Sequence, residues 1–200
     1  MPLQINRIEQ TLSAYQPQAH TLPPGTRQAA VAAILREVDG HTEALFILRA
    51  TKDGDPWSGH MAFPGGHREP EDQTLQQTAE RETFEEIGLD LNLHGRYLGV
   101  TEPVDANPRG RQFRMQVTPY FYLLESEPTY KPNYEVADIL WGSLNLMHSG
   151  HSLTESAFHV AGQKQYFKGY EVGSEVVWGL TMRMLSEFFL ILDPQWRSHY

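Results

Sequence analysis

Arg81-Glu82-Thr83-Phe84-Glu85-Glu86-Ile87-Gly88-Leu89 decides how this chain is read. Spacings of three and four residues put Glu82, Glu85 and Glu86 on one side of a helix, a turn apart. Like charges at that spacing cost an isolated helix about 0.2–0.5 kcal/mol per pair. A divalent cation converts the repulsion into ligation, because hard Mg²⁺ prefers carboxylate oxygens. Alone, such a cluster is usually a solvated acidic face, so its flanks must carry the argument.

Upstream stands Phe63-Pro64-Gly65-Gly66, followed by a polar loop from His67 to Gln73. Gly88 sits where a glycine ends a helix, and Asp72 suits an N-terminal cap. Leu75, Ala79, Thr83 and Ile87 form a stripe that can face a core, with Phe84 beside it. Gly65 and Gly66 let the backbone come close to the acidic side of the helix. Loop, glycines, helix and three carboxylates together form a motif.

That motif resembles the box of the Nudix hydrolases, Gly-x5-Glu-x7-Arg-Glu-U-x-Glu-Glu-x-Gly-U, where U is a bulky apolar residue. Arg81, Glu82, Glu85, Glu86, Gly88 and Leu89 match it directly. Gly66 lies one residue further from Arg81 than the general pattern, the upstream Glu falls on Asp72 or Gln73, and Thr83 replaces an apolar residue. The extra residue is common in the coenzyme A diphosphatase-like subgroup. Further pieces are similar to that subgroup: Arg49-Ala50, Gly59 to Gly66, Val117-Thr118-Pro119-Tyr120, and Trp178-Gly179-Leu180-Thr181 with Leu185. Between Arg49 and Gly59 the chain is one residue longer than the subgroup's pattern and lacks its second arginine; Leu48 stands where Thr is preferred.

The resemblance implies an α/β fold, a Nudix-type α/β/α sandwich around a mixed β-sheet. It implies Mg²⁺ or Mn²⁺ held by Glu82, Glu86 and Glu85, with the Gly65 carbonyl as an extra ligand. It implies hydrolysis of a diphosphate linkage in coenzyme A or a related nucleoside diphosphate derivative. A nucleotide sugar, a dinucleotide, a nucleoside triphosphate, or a non-catalytic ligand-binding role remain open alternatives. Arg81 is expected to orient the glutamates, reaching Glu85 at i+4. The general base is a box glutamate or a distant acid, with Glu102, Glu125, Glu127 and Glu135 as candidates. Arg49, Gly66, Trp57, Arg109 and Arg111 are candidate substrate contacts. Trp57 would stack on a base, and Arg109 and Arg111, near Arg114, would grip a 3′-phosphate. His60 and His67 flank the glycine loop and could donate to phosphate; packing is their commoner role. His148 and His151 lack a third partner for zinc. Trp141 and Trp178 read as core. Asp53-Gly54-Asp55 lacks the rest of a calcium loop.

Composition agrees. Two hundred residues with 40% hydrophobic content suit one domain. A net charge of −9 disfavours broad nucleic-acid binding. There is no cysteine, hence no disulfide or thiol nucleophile. The N-terminus shows no secretory signal and the longest apolar run, residues 188–192, is too short for a bilayer, so a cytoplasmic location is expected; a monomer or homodimer is expected as well.

The expected order is a short helix from Leu3 to Ala14, a Pro-rich connection from Pro17 to Gly25, and a strand from Arg27 to Val38. A turn at Asp39-Gly40 leads into a strand from Glu43 to Arg49. A loop runs from Thr51 to Gly59, and the motif helix follows. Strands Arg96 to Val100 and Phe113 to Leu124 flank a loop from Glu102 to Gln112. Val136 to Met147 fits strand or helix, Phe158 to Val160 with Gln165 to Tyr170 form a hairpin, and Glu175 to Leu192 forms a terminal helix. Residues 1–26 thus precede a domain of residues 27–192, box at 65–89, and 193–200 form a tail.

Overall fold

The structure, a computed structural model, describes residues 3–18, 21–52, 57–106, 114–160 and 163–199, without the side chains of His159 and Val160. In chain order the elements are α1 (Ile5–Ala14), β1 (Arg27–Val38), β2 (His41–Arg49), β3 (Met61–Ala62), β4 (Gly65–His67) and α2 (Leu75–Ile87). Next come α3 (Leu91–His94), β5 (Gly95–Val100), β6 (Val104–Asp105), β7 (Met115–Leu124), β8 (Val136–Ser143) and α4 (Leu144–Ser149). The chain closes with β9 (Leu153–Val160), β10 (Gln163–Val172), β11 (Glu175–Trp178) and α5 (Gly179–Leu192).

β1 explains the architecture. Its run Ala29 to Leu35 is buried throughout, as a strand covered on both faces must be. Alternation sends Ala30, Ala32 and Ile34 into a core shared with Ala79, Ile87, Leu89 and Leu91 of the α2–α3 side. Ala29, Val31, Ala33 and Leu35 enter the opposite core with Leu12 of α1 and Leu185, Phe188 and Phe189 of α5. β1 runs parallel to β7 and antiparallel to β2 and β4. The result is a mixed sheet between helical layers, the expected α/β/α sandwich. Residues 3–14 and Trp196 share the α5-side core, and the Trp196 indole donates to the carbonyl of His148 (2.7 Å).

β3 pairs with β2 while β4 pairs with β1, so the connection Phe63-Pro64 bridges the two where they diverge. This places Gly65 and Gly66 in mid-sheet, opposite Val31 and Ala30, beneath α2.

One open reading is resolved and three need correction. Val136 to Met147 is both things in turn: a strand to Ser143, whose hydroxyl accepts from the Leu146 N–H, then α4. Glu175 to Trp178 is a strand paired with β10, and the helix starts at Gly179. The expected hairpin is longer, Leu153–Val160 against Gln163–Val172. Phe84 does not join the core stripe but is 58% exposed, because it lies on the far side of α2.

Candidate active site

α2 begins at Thr74, not at Asp72 as expected. Thr74 accepts from the Gln77 N–H while the Gln77 side chain returns to the Thr74 N–H, a complete capping box. The helix ends at Gly88 in the left-handed region (φ 70), the conformation expected of that glycine. Its far end is braced from outside: Asn133 donates its backbone N–H to the Glu86 carbonyl (2.8 Å) and its side-chain amide to the Glu85 carbonyl (2.9 Å).

Asp72 has another role. Its carboxylate is buried and accepts from Arg81 Nε (3.1 Å), Arg81 Nη2 (3.0 Å), the Thr78 hydroxyl (2.9 Å) and the Glu69 N–H (2.9 Å). These bonds, the Arg81 guanidinium first, hold its carboxyl down at about 2. Arg81 in turn donates to the His67 carbonyl (3.0 Å), Glu82 Oε1 (3.1 Å) and Glu85 Oε1 (3.3 Å). It therefore reaches Glu85 as the spacing implied, and it also ties the box loop to the helix. The spacing of Asp72 and Arg81 was the available signal, but an acid just before a helix looks like a cap.

The three glutamates differ in environment. Glu86 is buried; its Oε2 accepts from the Gly65 N–H (2.8 Å), and its Oε1 lies 3.8 Å from Arg49 Nη1. Burial pushes its carboxyl up to about 8, against the opposing pulls of Gly65 and Arg49. Glu82 is mostly sunk, and burial raises it too, against Arg81. Glu85 is half-exposed beside Arg81. Among the described residues no three acidic or imidazole side chains already converge on a single point.

Gly66 shows why the loop needs glycine. A Cβ built there would lie 2.4 Å from the Glu82 carboxyl carbon. The backbone and the Glu82 carboxylate therefore pack face to face, and any side chain would fill that space.

The other candidates divide. Glu135 lies near enough to Glu86 to raise its pKa, and its carbonyl accepts from the Ala50 N–H (2.8 Å). Glu102 is engaged with the Tyr15 hydroxyl (3.2 Å) and the Gln18 N–H (2.7 Å). Glu125 holds Arg96 (2.7 Å), and Glu127 sits 3.7 Å from Arg36. His60 packs edge-on against Trp178 (4.6 Å between centroids), which stacks on Phe158 (3.9 Å). Trp141 lies under the Arg36 guanidinium (4.0 Å). Trp57 is half-buried against the α5-side core. His148 packs on Phe189 and Trp196, and His151 meets the Ser149 hydroxyl (2.8 Å). Arg109, Arg111 and Asp53-Gly54-Asp55 lie outside the described residues; the Arg114 carbonyl accepts from the Arg27 N–H (2.8 Å).

The subgroup's separate motif pieces meet in space. The Thr181 hydroxyl donates to the Met61 carbonyl (3.2 Å) in the interior, and His60 lies against Trp178. The His60 carbonyl accepts from the Arg49 N–H (3.0 Å).

The sequence profile described as NUDIX domain matches residues 26–159. The chain belongs to the Nudix hydrolase family. This Nudix chain is 29% identical over 184 residues to the Nudix hydrolase NudL of Pectobacterium atrosepticum, covering 87% of this chain and 90% of that protein. It is 30% identical over 169 residues to the mitochondrial coenzyme A diphosphatase NUDT8 of Mus musculus, covering 83% of this chain and 78% of that protein. A Schizosaccharomyces pombe protein is 38% identical over 107 residues, 48% of this chain, and only 32% of that protein's length is spanned. Among solved structures, a MutT/nudix family protein from Enterococcus faecalis aligns with a TM-score of 0.51 at 16% identity, covering 88% of this chain and 66% of that one. A Caenorhabditis elegans Ap4A hydrolase complex aligns at 0.50 and 21% identity, covering 60% of this chain and 81% of that one. These likenesses carry the fold alone. Among the described residues no helix of this Nudix protein is long and apolar enough to cross a membrane.

Proposed function

We propose that this Nudix hydrolase cuts the diphosphate linkage of coenzyme A or a closely related nucleoside diphosphate derivative with the help of a divalent cation. The observation that carries the reading is the pair of desolvated carboxylates, Glu82 and Glu86, packed against Gly66 and the Gly65 N–H. Burying two acids side by side is costly unless something offsets the charge. A cation does so, and the site has the hard oxygen donors that Mg²⁺ or Mn²⁺ takes. Glu82 and Glu86 would be the principal ligands, with Glu85 and the Gly65 carbonyl completing the set. When bound, the cation neutralises charge on the diphosphate and makes a water more acidic.

The chain's own groups supply the rest. The Gly65 N–H fixes the Glu86 carboxylate, and Arg81, anchored by Asp72, fixes Glu82 and Glu85. Arg49 brings positive charge beside Glu86, where the anionic substrate must approach. Glu135 is the candidate distant acid whose charge acts on Glu86, and it is assigned as the general base, taking a proton from the attacking water. Water adds at one phosphorus as the bridging P–O bond breaks, leaving two phosphate-bearing products.

Coenzyme A is favoured by the relative named as a coenzyme A diphosphatase and by the meeting of the Gly59–Gly66 and Trp178–Thr181 segments. The test is a panel of coenzyme A, ADP-ribose, NADH, dinucleoside polyphosphates and nucleoside triphosphates with Mg²⁺ or Mn²⁺, with products identified by mass. The expected products of coenzyme A are a 3′-phosphorylated adenosine nucleotide and phosphopantetheine. Turnover of another panel member alone would overturn the coenzyme A assignment, and no turnover of any would overturn the hydrolase reading.

A further inference from the structure

Beside the box loop the surface sinks into an open hollow of about 590 Å³. Arg27, Gln28, His67, Arg68 and Glu69 border it. Arg27 opens β1 on one wall; Arg68 follows β4 on the other, its N–H donating to the Gln28 carbonyl (3.0 Å).

The charge of Arg68 distinguishes this place. Its Nε and Nη2 donate to the Asp72 carbonyl (3.2 and 3.1 Å), Nη2 also to the Gln73 carbonyl (3.0 Å), and Nη1 to Gln28 Oε1 (3.2 Å). All three acceptors, the Asp72 and Gln73 carbonyls and the Gln28 side-chain amide oxygen, are uncharged. They fix the guanidinium without neutralising it. Arg81 is committed to Asp72, Glu82 and Glu85, and Arg49 faces Glu86. His67, beside Arg68 at the end of β4, borders the same hollow, where a ring nitrogen can hydrogen-bond a phosphate oxygen. Among the described residues Glu69 is the carboxylate on this rim, and it is exposed.

Position and charge suggest what fits. His67 directly follows Gly66, which packs against Glu82. A strand advances about 3.3 Å per residue, so Arg68 stands about 7 Å along the backbone from that contact. That is within the span of one nucleotide bound across the box. A protein with a net charge of −9 repels a phosphomonoester, which carries about −1.5 to −2 near neutral pH, unless local cations reverse the field. Guanidinium forks suit phosphate oxygens.

We propose that the Arg27–His67–Arg68 hollow is a phosphomonoester subsite, taking a phosphate that the substrate carries in addition to the linkage that is cut. The inference extends the diphosphatase reading and rests on it for the substrate's orientation. The extra phosphate has two possible sources, a group on the ribose or the far end of a longer 5′ chain.

Metal-free calorimetric titration separates them. Adenosine 3′,5′-bisphosphate, ADP and AMP are titrated into the full chain and into Arg27→Gln, Arg68→Gln and Arg68→Lys variants. One of the two doubly phosphorylated ligands should bind at least about tenfold more tightly than AMP, the worth of one charge-assisted hydrogen bond. The bisphosphate winning marks a ribose phosphate; ADP winning marks a 5′ chain. The advantage should disappear in both glutamine variants and return in part with Arg68→Lys. Arg68 also fastens the Asp72–Gln73 turn, so Arg27→Gln, outside that turn, keeps the test valid if Arg68→Gln folds poorly. Equal binding of all three ligands, or an advantage that survives Arg27→Gln, overturns the subsite. Neither the bisphosphate nor AMP has an anhydride, so failure of coenzyme A turnover would not count against this result, nor the reverse.

Discussion

Asp72 and Arg81, nine positions apart, are joined by a two-pronged ion pair: Nε to Oδ1 at 3.1 Å and Nη2 to Oδ2 at 3.0 Å. The pair closes the box loop onto α2 and aims the remaining Arg81 nitrogen at Glu82 and Glu85. Asp72→Ala should cost about 3 kcal/mol, because one partner of a buried pair is left behind. In this protein that is a fall in Tm of about 6–12 °C. Acid adds a second signature. The Asp72 carboxyl lies at about 2 in the fold against 3.8 ordinarily, so its stabilisation is present above pH 3.8 and is lost as pH falls through 2. Denaturant melts from pH 5 to pH 2 should show a shallower acid loss for Asp72→Ala than for the parent. Parallel curves would remove Asp72 from this role.

Glu86 should behave in the opposite sense. Its folded value is about 8 against 4.5 ordinarily, so the metal-free fold holds an extra proton between those limits. Stability in a chelator should therefore fall as pH rises from 4.5 to 8, and Glu86→Gln should flatten that slope. A cation must displace the proton, so the Tm gain on adding Mg²⁺ or Mn²⁺ should grow with pH up to about 8. The same variant should lose at least about a hundredfold in turnover. A metal-induced Tm gain that ignores pH would sink the assignment of Glu86 as a ligand.

Gly66→Ala separates site from scaffold. The new methyl would meet the Glu82 carboxylate at 2.4 to 2.6 Å, the free end of a flexible side chain rather than backbone. Glu82 can swing aside, so stability should change by less than about 1 kcal/mol. Metal-dependent stabilisation and turnover should be lost together. Retained turnover would mean that Glu82 need not stand where it does.

Much of the site was legible because its information is local. Glu82, Glu85, Glu86, Arg81 and the stop at Gly88 follow from helical spacing and one glycine. The strand from Arg27 to Val38 was legible as a strand, whereas its burial on both faces followed only from the family resemblance. The misreadings arose where one short pattern satisfies two structures. Asp72 and Thr74 both suit a cap, and only the reach of Arg81 decides between them. Val176-Val177-Trp178 is apolar enough to begin a helix, but pairing with Gly169 to Glu171 makes it a strand. The approach of Glu135 to Glu86 depends on Asn133 bridging to the end of α2, a contact across the chain that no spacing encodes.

Thr181 tests how the terminal helix serves the box loop. Its hydroxyl fills a buried bond to the Met61 carbonyl, four residues before Gly65. Thr181→Val keeps the shape and leaves that carbonyl unpaired, a cost of about 1–2 kcal/mol, or about 2–8 °C in Tm. If the bond also positions Gly65 and Gly66, the metal-induced Tm gain should shrink as well. An unchanged metal response would confine Thr181 to packing.

Glu135→Gln isolates proton transfer from metal binding. Glu135 reaches Glu86 only through its charge and stands outside the helix that carries the box. The change removes a neighbouring charge and no proposed ligand, so cation binding should be kept. A general base contributes about 10² to 10⁴ in rate, and turnover should fall by that factor with KM little changed. If Glu135→Gln keeps full turnover, the proton leaves the attacking water by way of Glu82, Glu85 or Glu86, and Glu135 serves only to raise the Glu86 carboxyl.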